Sequence, residues 1–183
     1  QQIYFFVSKK LFNLNLMETV PYDKRSGKIW FNGELINWTN AKIHVLNHGL
    51  HYASCVFEGE RVYDGEIFKL EEHTDRLFYS AKRMGIVIPY SPKEINTASK
   101  EIVTAQKIKN GYVRPVGWRG SEMMAISAQK NKIHVAIASW EWGSYFDPNL
   151  KLKGIKLNIS SWRRPAPNSV PWDTKAAGLY MIC

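Results

Sequence analysis

The sequence predicts a mixed α/β chain of the α+β kind, with antiparallel pairing in its sheet. Three observations predict it. Two tight-turn dipeptides, Asn32-Gly33 and Asp64-Gly65, each sit between short strand-like runs. Two amphipathic stretches follow, over 70–84 and 91–105. Two further apolar runs, 112–118 and 133–140, then read as strands.

In chain order, Ile29 to Ile36 reads as a hairpin, because Asn-Gly accepts the positive φ angles that a tight turn needs. Arg61 to Phe68 repeats the device with Asp-Gly. Leu70 to Met84 is a predicted helix whose Leu70, Leu77, Ala81 and Met84 share one face, with Phe78 on the flank. Acidic residues open it, Lys82 and Arg83 close it, and Gly85 is a natural stop. A second helix opens at Ser91, with Pro92 at its first position and Glu94 completing a capping box. Its predicted buried residues are Ile95, Ala98, Ile102 and Ala105, and Asn110-Gly111 is its predicted end. The run over 133–140 is apolar on both faces and therefore expected to be a central strand. Residues 146–154 read as a linker, and Ile155, Leu157 and Ile159 alternate as in a further strand. Three prolines make 162–172 a loop. The expected domains are a small one over 17–145 and, after the linker, the start of a larger one over 155–183. Residues 1–16, which precede the first methionine, are expected to be an upstream extension.

Composition narrows the function. Apolar residues make up 45% of the 183, and seven Trp, nine Tyr and eight Phe argue against disorder. The net charge of +9 is spread out rather than clustered. Nucleic-acid binding needs clustered Lys/Arg with interleaved aromatics, so it is kept only as a remote alternative. The apolar start is too short to span a membrane and is a poor signal peptide, so no membrane partner is expected. Two distant cysteines, Cys55 and Cys183, fit a reducing, cytoplasmic setting. His44, His48 and His51 are better read as hydrogen-bonding than as metal ligands, because no third ligand follows at suitable spacing. No metal is expected.

Lys175 follows the proline-rich loop and precedes Ala176-Ala177-Gly178, small residues that let a flat ligand approach the backbone. A sheltered lysine loses its charge readily and then attacks aldehydes. Taken alone, a surface lysine is the better reading.

An ordered set of motifs changes that. Ile29-Trp30-Phe31-Asn32-Gly33 is followed by His48 to Tyr52, Val56-Phe57-Glu58-Gly59, and Glu72 to Leu77. Tyr112-Val113-Arg114-Pro115, Trp142 to Tyr145, Ser161 to Asn168, and Thr174 to Tyr180 come after, in order. This set resembles the fold-type IV aminotransferases, and among them the branched-chain amino acid aminotransferases, from about Lys28 to the C-terminus. The resemblance implies pyridoxal 5'-phosphate as cofactor, with Lys175 as its Schiff-base lysine and the catalyst of proton transfer. It implies Arg76 on the cofactor phosphate and Tyr180 on the ring hydroxyl. On the predicted helix Arg76 lies off the apolar face, where a solvated arginine is the plain alternative. For the substrate it implies an aromatic wall of Phe57, Tyr52, Trp142 and Tyr145. Arg114 would meet the side-chain carboxylate of glutamate, Tyr112 would lie near the α-carboxylate, and Arg61 would support the site. The implied activity is transamination of leucine, isoleucine and valine with 2-oxoglutarate, in a homodimer or dimer-based hexamer with residues crossing the interface. D-amino acid aminotransferase and aminodeoxychorismate lyase are the alternatives within the same fold. The stretch after Arg114 departs from the better-known bacterial pattern. The family's pyridinium-binding glutamate and phosphate-binding loops would lie past Cys183, so the 183 residues alone are expected to be inactive and badly folded.

Overall fold

In the computed structural model of the chain, the described residues are 20–143, 152–154 and 157–181. The hairpin β1 (Lys28–Phe31) and β2 (Glu34–Asn37) turns on Asn32 and Gly33, at φ of 51° and 99°. A short helix α1 (His48–Tyr52) follows, capped by the Asn47 side chain, which accepts from the Gly49 N–H. Then come β3 (Cys55–Phe57), β4 (Glu60–Tyr63) and β5 (Glu66–Ile67), the last two joined through Asp64 and Gly65 at φ of 50° and 88°. Both hairpins therefore form where the turn dipeptides predict them.

Helix α2 (Leu70–Arg83) ends on Gly85 in the left-handed region, with the Ile86 N–H reaching back to the Ala81 carbonyl. Helix α3 (Pro92–Ala105) opens with the full Ser91–Glu94 capping box. It ends earlier than predicted. Lys107 turns left-handed at φ 54° and the Ile108 N–H bonds to the Val103 carbonyl, so Ile108 is drawn into the core well before Asn110-Gly111. Ala105 is exposed, while Ser99 and Val103 join Ile95, Ala98 and Ile102 on the buried stripe.

The long strands β6 (Gly111–Arg119) and β7 (Ile133–Glu141) complete a seven-stranded sheet, antiparallel throughout its described pairs. Its order is β2-β1-β7-β6-β4-β5, with β3 also on β6, so β7 is central as predicted. β3 and β4 are two pieces of one run. Phe57 faces Val116 and Glu60 faces Val113 in the same register. The break falls opposite Pro115, which has no N–H to return, so only the Glu58 N–H to Pro115 carbonyl bond remains there (2.8 Å). Helices α2 and α3 cover one side of the sheet, burying Val56, Val62, Val113, Val135 and Ile137 against Leu77, Ile95 and Ile102.

Of the further predicted strand, Ile155 lies outside the described residues. Leu157 and Ile159 are exposed, and among the described residues there is no strand over 157–159, because neither side chain has a core to enter. The linker 146–154 is described only at 152–154. The proline-rich stretch 162–172 is a loop, as expected. Among the described residues, no helix is long and apolar enough to cross a membrane.

Candidate active site

Side chains on a strand alternate, so the side away from the helices is set by register. Arg61 faces Tyr112, and Phe57 faces Val116, with Arg114 between those pairs. This puts Phe57, Arg61, Tyr112 and Arg114 on the open side. The chain returns there at its far end. Ala176 bridges Val56, and the Phe57 N–H bonds to the Lys175 carbonyl at 3.2 Å. The same register sets Lys175 beside Phe57, with its side chain on the open side. The main chain is also held from α2, where Ser80 Oγ accepts the Lys175 N–H at 3.0 Å.

Lys175 Nζ donates to Tyr180 Oη at 2.7 Å. It lies 4.6 Å from the centre of the Phe57 ring and 4.8 Å from that of Tyr180. The Arg114 guanidinium lies 4.7 Å from the same Phe57 ring, so one aromatic ring is shared by two cations. Arg114 Nη2 also donates to Tyr112 Oη at 3.4 Å. Tyr112 in turn packs on Trp142, with centroids 4.7 Å apart. The Tyr112 ring occupies the space over Gly59: a Cβ there would lie 1.8 Å from Tyr112 Oη, so a larger residue would displace the ring. The structure thus gathers Lys175, Tyr180, Phe57, Arg114, Tyr112 and Trp142 on one surface. Arg61 shares that side of the sheet, with its guanidinium 5.5 Å from the Tyr63 ring.

Arg76 sits on α2, one turn before Ser80, within electrostatic range of Tyr180. It is not simply solvated. Its Nε and Nη2 both donate to the buried Glu58, at 2.6 and 2.7 Å. Tyr52 stands apart from the Lys175 group. It stacks on His48 at 4.5 Å and donates to the Met124 carbonyl, on an exposed apolar segment with Val45, Leu46 and Leu50. Tyr145 lies outside the described residues. The histidines of the 44–51 stretch all have protein partners: His48 bonds Ser54 and the Ala125 carbonyl, His51 the Val45 carbonyl, and His44 the Leu46 N–H. Burial, against the pull of Arg114, pushes the Cys55 thiol up to about 11, which keeps it protonated and poorly nucleophilic. A cleft of about 650 Å³ between Val20, Arg25, Trp38 and Trp140 contains none of the Lys175 group.

Sequence reasoning gave no role to Glu58, Gly59 or Ser80. The signal was present in Val56-x-Glu58-x-Glu60-x-Val62, an alternation that sends two carboxyls inward with two valines.

Both the sequence and the fold match known proteins. The model of the amino-transferase class IV family matches residues 55–182. The branched-chain-amino-acid aminotransferase of Pseudomonas aeruginosa is 44% identical over 161 residues, covering 86% of this chain and 52% of that protein. That of Escherichia coli K12 is 36% identical over 163 residues, covering 86% and 53%. Among solved structures, the Escherichia coli branched-chain amino acid aminotransferase superposes with a TM-score of 0.78 at 34% identity, over 86% of this chain and 54% of that one. The T.th. branched-chain amino acid aminotransferase with pyridoxamine 5'-phosphate gives 0.76 at 34%, over 85% and 53%. The chain spans about half the length of the curated relatives it matches. These matches bear out the expected fold-type IV architecture, and the chain belongs to the amino-transferase class IV family, where it is most similar to branched-chain-amino-acid aminotransferases.

Proposed function

We propose that this chain carries the lysine-bearing part of a pyridoxal-phosphate-dependent branched-chain-amino-acid aminotransferase, using 2-oxoglutarate as the amino acceptor. The observation that carries the reading is the Lys175 amine, 2.7 Å from the Tyr180 phenol and backed by the Phe57 ring. The donor set fits a phosphorylated aromatic aldehyde. It offers an amine for the aldehyde, a phenol for the ring hydroxyl, a guanidinium for the phosphate and small residues, Ala176 to Gly178, for a flat ring. Pyridoxal phosphate, when bound, supplies the aldehyde and the electron-withdrawing ring that acidifies the α-proton of the amino acid.

The chain's own residues would do the rest. Lys175 Nζ would hold the aldehyde carbon and, once the amino acid has taken its place, would carry the α-proton across to that carbon, first as base and then as acid. Tyr180 orients that amine. Arg76 anchors the phosphate. Phe57, Tyr112 and Trp142 form an apolar wall for a branched side chain, and Arg114 at its edge offers a cation to glutamate in the return half-reaction. Arg61 supports that wall. Tyr145 belongs to the same proposal, by motif. Tyr52 is assigned with them through a second copy of the protein, because its exposed apolar segment is suited to cover by one. A division into domains at 146–154 and a cytoplasmic location complete the proposal.

The test is the visible absorbance of the full-length protein. A band at about 410–430 nm that bleaches with L-leucine and returns with 2-oxoglutarate is expected. Lys175→Ala should lose the band and slow transamination by roughly a thousandfold or more. A yellow protein that answers to D-alanine and ignores L-leucine would move the reading to a D-amino acid enzyme. A folded protein that takes up no pyridoxal phosphate would overturn it.

A further inference from the structure

Val56, Glu58, Glu60 and Val62 face α2 and α3, so two carboxyl groups lie in the core two residues apart. Both are fully buried, and their surroundings differ. Glu60 meets no hydrogen-bond donor among the described residues. Glu58 accepts from Arg76 Nε at 2.6 Å, Arg76 Nη2 at 2.7 Å, His73 Nδ1 at 2.8 Å and the Gly59 N–H at 3.3 Å. Burial alone would raise its carboxyl, but these bonds and the charge of Arg76 outweigh that and hold it down at about 2. It is therefore an anion at any working pH.

The two-point contact fixes the plane of the Arg76 guanidinium, whose side chain is otherwise half exposed and free to turn. It also fixes which edge is engaged. Nε and Nη2 are taken by Glu58, while Nη1 has no hydrogen-bond partner among the described residues. One turn further along α2, Ser80 holds the main chain of Lys175. The same helix face thus anchors the lysine and presents the arginine.

We propose that Glu58, assisted by His73, is a positioning residue that locks Arg76 so that its Nη1 edge is left to receive the cofactor's phosphate. The proposal rests on the pyridoxal-phosphate reading above. It makes a prediction opposite in sign to that of charge alone. The carboxylate of Glu58 offsets the cation of Arg76, so simple electrostatics has a neutral residue at 58 tightening the hold on a phosphate. Positioning has it loosening that hold.

The experiment compares dissociation constants of pyridoxal phosphate and of unphosphorylated pyridoxal, on the full-length protein and its Glu58→Gln variant. The expected result is pyridoxal phosphate weakened by about tenfold, the scale seen when an outer-shell partner of a bound group is lost, with pyridoxal unchanged. Unchanged or tighter pyridoxal phosphate overturns the proposal, and so does an equal loss for both aldehydes, which marks general loosening. If Glu58→Gln does not fold, His73→Ala serves, because that side chain is one-fifth exposed. A selective loss of pyridoxal phosphate there supports the proposal, and no loss overturns it. A wild-type protein that binds neither aldehyde overturns the cofactor reading itself, and this proposal with it, before any substitution is made.

Discussion

Between Val56 and Val62 the chain deals its residues alternately to the two sides of the sheet. Val56, Glu58, Glu60 and Val62 go to the helices, and Phe57, Gly59 and Arg61 go to the open side. The helix side is closed and mostly apolar, and its buried charged groups between Val56 and Val62 are the two carboxyls. The open side carries cations on aromatic rings. Stability and chemistry are thus separated by a period of two, within single strands. The helix side also reaches the open one through Arg76, whose guanidinium spans from buried Glu58 to the neighbourhood of Tyr180.

The separation can be broken most strongly from the helix side. Leu77→Ala removes a side chain that is 1% exposed at the centre of α2. It should cost the full-length protein about 2–5 kcal/mol in denaturant unfolding, while molecules that stay folded keep their activity. A smaller effect sharpens the contrast between the two carboxyls. Burial, then the charge of Glu58, raises Glu60 to about 8, against a lowering pull from Arg76. Its folded pKa is above the unfolded value of 4.5, so its contribution is intact below pH 4.5 and is lost as pH rises to about 8. Glu60→Met should therefore be more stable than wild type by on the order of 1–3 kcal/mol at pH 8, with a smaller gap at pH 5. Glu58 runs the other way. Its contribution is present above pH 4.5 and lost as pH falls to about 2. A gap that shrinks as pH rises would contradict the assignment for Glu60. The smallest stability effect is expected on the open side. Arg114→Gln should change unfolding by less than about 0.5 kcal/mol. Yet it should lower kcat/KM for glutamate by roughly 10- to 100-fold, and for leucine far less, because a charge-assisted contact is worth about 1.5–3 kcal/mol. Equal losses for both amino acids would remove Arg114 from carboxylate recognition.

Local signals made most of the fold legible. Asn-Gly, Asp-Gly, the Ser91–Glu94 box and the Gly85 stop each act within a few residues, and each is found where the sequence predicts it. The end of α3 was not legible, because Lys107 has no intrinsic preference for the left-handed region. It adopts that conformation so that Ile108 can be buried. Pro115 in an interior strand would ordinarily argue against that strand. It is tolerated because its missing N–H falls at the gap between β3 and β4. In the site, Lys175 was legible only through its motif, since Tyr180 is a local neighbour but Phe57 is chosen by a strand bridge made across more than a hundred residues. Arg76 lies off the apolar face of its helix, as the periodicity predicts. Its partner Glu58 comes from the gap between β3 and β4, so the helix alone could not supply it.

The segment that carries Lys175 is fastened on both flanks. Asp173 takes the Tyr79 hydroxyl at 2.5 Å and faces Arg83, Ser80 takes the Lys175 N–H, and the Lys175 carbonyl is tied to β3. The amine is therefore a weight on a short tether whose post is set in the helix and the sheet together. Whatever swing it makes between one partner and the next must come from the four methylenes of its own side chain. A substitution that loosens the post, such as one at Asp173 or Ser80, would blur where the tether starts without touching the amine at all.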